Sequence, residues 1–110
     1  MSKKEIPFDA PIHPGEILAE ELEEIGMTAA ELAHRLKVPD NRIYQIVLGR
    51  RSITADTALR LGKFFNTTAE YWLNLQKLYE LDVAREETSN SLETIQPYRQ
   101  PQAAQLELSQ

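Results

Sequence analysis

An all-α fold follows from three observations. Apolar residues return every three or four positions through most of the chain, the spacing that lines one face of a helix. The segments so marked are punctuated by helix-start threonines (Thr28, Thr54, Thr67, Thr68) and by helix-stop residues (Gly26, Gly49, Asn66). Apolar–polar alternation of strand length occurs nowhere. With 110 residues, one compact domain plus tails is expected, large enough to bury a modest core unaided. Cysteine is absent, so neither a disulfide framework nor a thiolate metal site enters the fold.

In chain order, residues 1–12 read as a flexible arm, with Phe8 and Ile12 as possible anchors to the domain and Lys3 and Lys4 solvated. A first helix starts near Pro14, since proline at the first helical position loses an N–H that had no partner anyway. His13 stands beside its cap, Ile17, Leu18, Leu22 and Ile25 form its apolar stripe, and Gly26 ends it. Glu16, Glu20, Glu21, Glu23 and Glu24 fill the flank as a solvated acidic face. Thr28 and Glu31 spell a capping box for a second helix whose inner face is Leu32, Ala33 and Leu36. Pro39 opens a third helix, closed by Gly49. Thr54 starts a fourth, with Ala58, Leu61, Phe64 and Phe65 inward and Asn66 as its stop. Thr67 or Thr68 caps a fifth, Thr67 with Glu70 making a second capping box. This last helix has apolar residues on more than one face. One stripe suffices against a single core, so the surplus predicts a second covering surface: another copy of the chain or, failing that, the tail folded back. From Thr88 onward, serine, threonine, proline and glutamine dominate, and 88–110 reads as a polar tail.

The stretch 28–48 holds two short helices joined by a tight turn, with Leu32, Leu36, Val38, Ile43 and Ile46 inward and Ala33 at the closest approach. That layout is a helix-turn-helix, whose second helix enters the DNA major groove. Overall charge is −5, which argues against nucleic acid until its distribution is read. Residues 28–63 hold seven basic and three acidic residues, +4 net, leaving −9 for the remainder. A local basic footprint in an acidic chain is compatible with DNA.

Four segments together resemble one family: HPGEIL (13–18), TAAELAHRL (28–36), NRIYQIVLGRRSITADTALRLGKFF (41–65) and EYWLNLQKLYEL (70–81). They are similar to the HigA-type antitoxins, the virulence-associated protein I group of the Cro/repressor-like helix-turn-helix proteins. The resemblance implies a lambda-repressor-like five-helix bundle, a homodimer and an operator in the protein's own promoter. It also implies a HigB-type toxin, a messenger-RNA-cleaving ribonuclease that the antitoxin neutralises, with no catalysis by the antitoxin itself. A stand-alone helix-turn-helix regulator is the alternative, and an interaction module that no longer binds DNA a further one. Lys37 in place of the turn glycine, Pro39 in place of a capping serine or threonine, Asp40 at the helix entrance and Leu48 in place of asparagine depart from the pattern. A left-handed Lys37 would cost about 1 kcal/mol in strain.

These readings single out DNA-contacting residues. Asn41 and Gln45, four apart on the third helix, are the expected base readers, since amides pair with adenine. Arg42 and Tyr44 come next, with Pro39 and Asp40 at the helix entrance. Thr28 and Ala29 begin the second helix, where exposed N–H groups suit a phosphate. Arg50 and Arg51 are expected to grip the backbone. Tyr71, Trp72, Leu75, Leu78 and Tyr79 are the expected dimer residues, and a two-fold dimer implies an inverted-repeat double-stranded DNA site. Domain boundaries are drawn at 12/13 and 87/88. His13 and His34 are the only histidines and have no third ligand at metal-binding spacing. Gly49 and Gly62 make no phosphate loop, and no serine or threonine has a recognisable base. Hence no metal, no cofactor and no enzyme are expected. No apolar run approaches the roughly 20 residues of a membrane span, the N-terminus lacks the apolar core of a signal peptide, and a cytoplasmic location is expected.

Overall fold

Helix α1 (Pro14–Ile25) begins as its sequence dictates, with proline first and His13 at the N-cap. In the computed structural model, which describes residues 10–99, it is followed by α2 (Ala29–Leu36), α3 (Asp40–Val47), α4 (Ala55–Phe65) and α5 (Ala69–Glu93). Among the described residues there is no strand. The all-α, five-helix fold is as predicted.

Local signals set most of the ends. Thr28 Oγ1 accepts the Glu31 N–H at 3.0 Å, and Glu31 Oε1 accepts the Thr28 N–H at 2.8 Å, a complete capping box. Gly26 and Asn66 both take the left-handed conformation that ends α1 and α4. Lys37 does the same after α2, at φ 64° and ψ 46°, and its N–H and that of Val38 reach back to α2 carbonyls. The turn needs that conformation whether or not a glycine is present.

Packing joins α2 to α3 and α4 to α5 most extensively, with α1 laid across α3 and α5. Leu18, Leu32, Ile43, Ile46, Leu61 and Trp72 are fully buried at the centre. Each such side chain stabilises the fold by about 1.5–3 kcal/mol through removal from water. Gly15 lets α1 approach α3: a Cβ there would overlap the Ile46 carbonyl oxygen. Ala33 is wholly buried, in keeping with the small residue expected at that crossing.

Three expectations change. The second capping box does not form: Thr68 is the N-cap of α5, its Oγ1 accepting the Tyr71 N–H at 3.1 Å. Thr67 Oγ1 instead accepts the Trp72 indole N–H at 3.0 Å, because a buried indole needs a partner. Trp72, expected in the dimer interface, is 1% exposed within a single chain and packs beside Phe65, so it belongs to the core. Finally, α5 continues through residues 88–93, past the boundary drawn from composition at 87/88. Glu86, Glu87 and their neighbours are ordinary helix residues, and the serine-rich stretch holds no proline to stop the helix before Pro97. Ile12 is exposed; Phe8, Lys3 and Lys4 lie outside the described residues, as does most of the tail.

Candidate nucleic-acid interface

The outward side of α3 is built by what its inward side must do. Ile43 and Ile46 are drawn into the core, so Asn41 and Tyr44 are turned to solvent, with Gln45 half-buried beside them. Tyr44 is 52% exposed. Asn41 Oδ1 accepts from Gln45 Nε2 at 3.4 Å, so the two amides share a face as their spacing predicts. Pro39 is the N-cap and makes no side-chain cap, which leaves the first N–H groups of α3 uncovered, with the Asp40 carboxylate beside them.

Arg42 is placed differently from its neighbours. Its Nη1 donates to Asp56 Oδ2 at 2.9 Å, tying α3 to the first turn of α4. Arg60 Nε donates to the same oxygen at 3.0 Å, and Arg60 Nη1 donates to the Leu36 carbonyl at 2.8 Å, at the end of α2. Two arginines and one aspartate therefore bind the ends of three helices together. The hydrogen bond from Arg60 is the main reason that Asp56 titrates below the usual carboxylate range; partial desolvation opposes it and Arg42 adds to it. No residue of this triad but Arg42 was expected at the site, because Asp56 and Arg60 read as ordinary helix-surface charges.

Among the clefts that α3 lines, two bear on this surface. One, about 310 Å³, lies between the start of α2 and α3 and is lined by Ala29, Ala30, Asp40, Asn41 and Tyr44. The capping box occupies the N–H groups of Thr28 and Glu31, while those of Ala29 and Ala30 have no partner within the helix. The other, about 280 Å³, lies at the start of α4 between Arg42, Arg51, Ser52, Thr54, Asp56 and Thr57. Thr54 is the N-cap there but makes no capping bond, its hydroxyl turning to Thr57 Oγ1 at 3.5 Å. Ser52 and Thr54 thus join the surface beside Arg51; the sequence marked Thr54 only as a helix start. Arg50 and Arg51 are exposed on the loop after the left-handed Gly49 (φ 76°), and the Arg50 N–H bonds the Gln45 carbonyl at 2.9 Å.

Below this surface lies His13. Its Nδ1 accepts the Gly15 N–H at 2.9 Å, and its ring meets Tyr79 edge-on with centroids 4.8 Å apart. Burial pushes its pKa below the usual imidazole value, with Glu16 acting in the opposite sense. His34 is exposed. Among the described residues, no group of three or more histidine, aspartate or glutamate side chains is arranged to hold a metal ion. Nor is any helix long and apolar enough to cross a membrane. Of the expected dimer residues, Tyr71 and Leu78 are exposed, while Leu75 and Tyr79 are half-buried against the domain.

Comparison with known proteins agrees with this geometry. The helix-turn-helix family model matches residues 18–72. Virulence-associated protein I of Dichelobacter nodosus is 48% identical over 96 residues, covering 86% of this chain and 85% of that protein. An addiction module antidote protein of a HigA family from Coxiella burnetii superimposes with a TM-score of 0.79 at 54% identity, over 81% of this chain and 99% of the other. Pseudomonas aeruginosa antitoxin HigA, solved with higBA promoter, gives a TM-score of 0.78 at 43% identity, over 81% and 99% of the two chains. By sequence, by fold and by the exposed face of its third helix, this chain belongs to the HigA-type antitoxins, the virulence-associated protein I group, of the helix-turn-helix family.

Proposed function

We propose that this chain binds an operator in its own promoter as a homodimer, repressing its operon, and neutralises a HigB-type ribonuclease toxin. One observation supports the DNA reading most: Asn41, Tyr44 and Gln45 stand on the solvent face of a helix whose other face is locked into a helix-turn-helix core. That the Pseudomonas aeruginosa relative was solved with promoter DNA supports extending the role to this chain.

In this reading Asn41 and Gln45 read base edges, adenine being the natural partner of a side-chain amide. Tyr44 lies against the backbone beside them. Thr28 and Ala29 take one phosphate at the start of α2, and Arg50 and Arg51 take others beyond α3. Pro39 and Asp40 bound the entrance, where the Asp40 carboxylate restricts which phosphate geometry is accepted. Arg42 stays with Asp56 and sets how α3 is presented. The helical domain from His13 to the end of α5 at Glu93 bears these contacts, the segments before and after it are the proposed toxin contacts, and the protein works in the cytoplasm without catalysing a reaction. Toxin binding rests on family membership.

The test is a mobility-shift assay with the DNA upstream of this gene. A saturable, sequence-dependent shift is expected. No shift at low salt would sink the repressor reading and leave the interaction module, which the Asp40 carboxylate in the α2–α3 cleft favours. For the toxin, co-expression with the adjacent reading frame should relieve its toxicity; a harmless neighbour leaves the stand-alone regulator.

A further inference from the structure

Gln76 sits in the middle of α5, 5% exposed, and neither the base-reading nor the arginine contacts use it. Its Oε1 accepts the backbone N–H of Ile53 at 2.8 Å, across 23 positions of sequence. Its Nε2 donates to Glu80 Oε2 at 3.1 Å, one turn along the same helix. The N–H of Ile53 can only donate, so the orientation of the amide is fixed. Ile53 ends the loop that bears Arg50 and Arg51. The other end of that loop, Gly49, lies against the His13 ring, which in turn packs on Tyr79 of α5. Gln76 and Tyr79 are three apart on one face of α5. Both ends of the arginine-bearing loop are therefore held, directly or through one ring, by α5.

We propose that Gln76 is a positioning residue for DNA-backbone binding: it fixes the loop 49–53 to α5, so that both arginines are held against phosphates in the complex. The inference rests on the DNA-binding reading above. The Ile53 side chain is itself 2% exposed and keeps the loop near the core without the amide. Loss of the hydrogen bond therefore frees the direction of the loop more than its attachment. An arginine whose loop can turn away neutralises fewer phosphates in the complex, so affinity falls for every sequence alike and the salt slope falls with it, because the backbone carries no sequence information.

The experiment is fluorescence anisotropy of the full chain with upstream DNA and with an unrelated duplex, from about 50 to about 300 mM salt. Size exclusion and thermal melting are run alongside. Gln76→Leu should weaken binding to both duplexes about tenfold and lower the slope of log K against log salt by about one, with dimer and fold retained. Gln76→Glu alone sets a carboxylate beside Glu80 and should weaken binding at pH 8. The double variant Gln76→Glu/Glu80→Gln keeps the wild-type net charge. It also rebuilds both bonds: the new carboxylate accepts from Ile53 N–H and from the new amide at position 80. It should return affinity to within about twofold of wild type. A merely structural residue would lower the melting temperature without moving the salt slope. Wild-type affinity and slope in Gln76→Leu, with wild type bound, overturns this inference alone, as does failure of the swap to restore Gln76→Glu. Should Gln76→Leu not fold, the Gln76→Glu variant and its swap decide. Absence of binding by wild type overturns the DNA reading and this inference with it.

Discussion

Lys37 shows how a single residue departs from the pattern of its motif and still obeys its geometry. A side chain held at φ 64° is strained, by about 1 kcal/mol relative to glycine. Lys37→Gly should raise the urea midpoint by an amount worth about 0.5 kcal/mol, the added freedom of the unfolded glycine offsetting part of the gain. A midpoint unchanged or lowered would show that the lysine compensates for its own strain. His13 predicts a pH effect. Its folded pKa lies below its usual value, so the unfolded chain binds more protons as pH falls, and stability must fall with it. The melting temperature should drop between about pH 7.5 and about pH 5, beyond what the acidic residues cause. His13→Asn, which keeps an N-cap acceptor, should remove the histidine part of that drop. An identical profile in the variant would mean that His13 is not its source.

At the scale of elements, α5 is the unusual member. Its inward face is Trp72, Gln76, Tyr79 and Val83, yet Tyr71, Leu78, Leu81 and Leu92 are exposed on the far side. Their spacing steps by seven, three and eleven, the rhythm of a two-helix seam. Leu78 alone is 57% exposed, and a long apolar stripe on a helix calls for a partner. Leu78→Asp combined with Leu81→Asp should shift the protein from dimer to monomer in sedimentation while leaving its helical circular dichroism intact. A dimer that survives both changes would place the interface elsewhere. Trp72, a core residue, drops out of the expected interface, while Tyr71 and Leu78 are exposed and stay among its proposed members.

At the scale of the whole molecule, charge is unevenly distributed along the chain. The glutamate flank of α1 and the acidic stretch of α5 stand against the basic stretch 28–63 within a chain of net charge −5. A local excess of positive charge steers that stretch toward a polyanion. Backbone and base contacts then predict different variant behaviour. Arg51→Ala should weaken binding on any duplex and reduce the salt slope by about one. Asn41→Ala should instead leave nonspecific binding and the slope unchanged, while losing about 1–3 kcal/mol of discrimination at one base pair. Competition titrations at two salt concentrations distinguish these outcomes, and identical behaviour of the two variants would refute the division of labour.

What the sequence by itself determined here is local: the class of fold, five helices, and most of their ends. Pro14, Gly26, Thr28 with Glu31, and Asn66 act on groups within four residues of themselves, so their effect is visible without knowing what lies across the chain. The inward face of each helix was legible for the same reason, since helical spacing alone sets which residues turn together. Tertiary structure decided the fate of the polar and amphipathic side chains. Arg42 finds Asp56 14 positions away, Gln76 finds Ile53 23 positions away, and Thr67 is claimed by the indole of Trp72. A hydrogen-bonding group takes whichever partner folding brings to it, and burial makes that choice compulsory. The solvent face of α3 was therefore readable in advance, whereas the arginine it lends to α4 and the amide that holds its trailing loop were not.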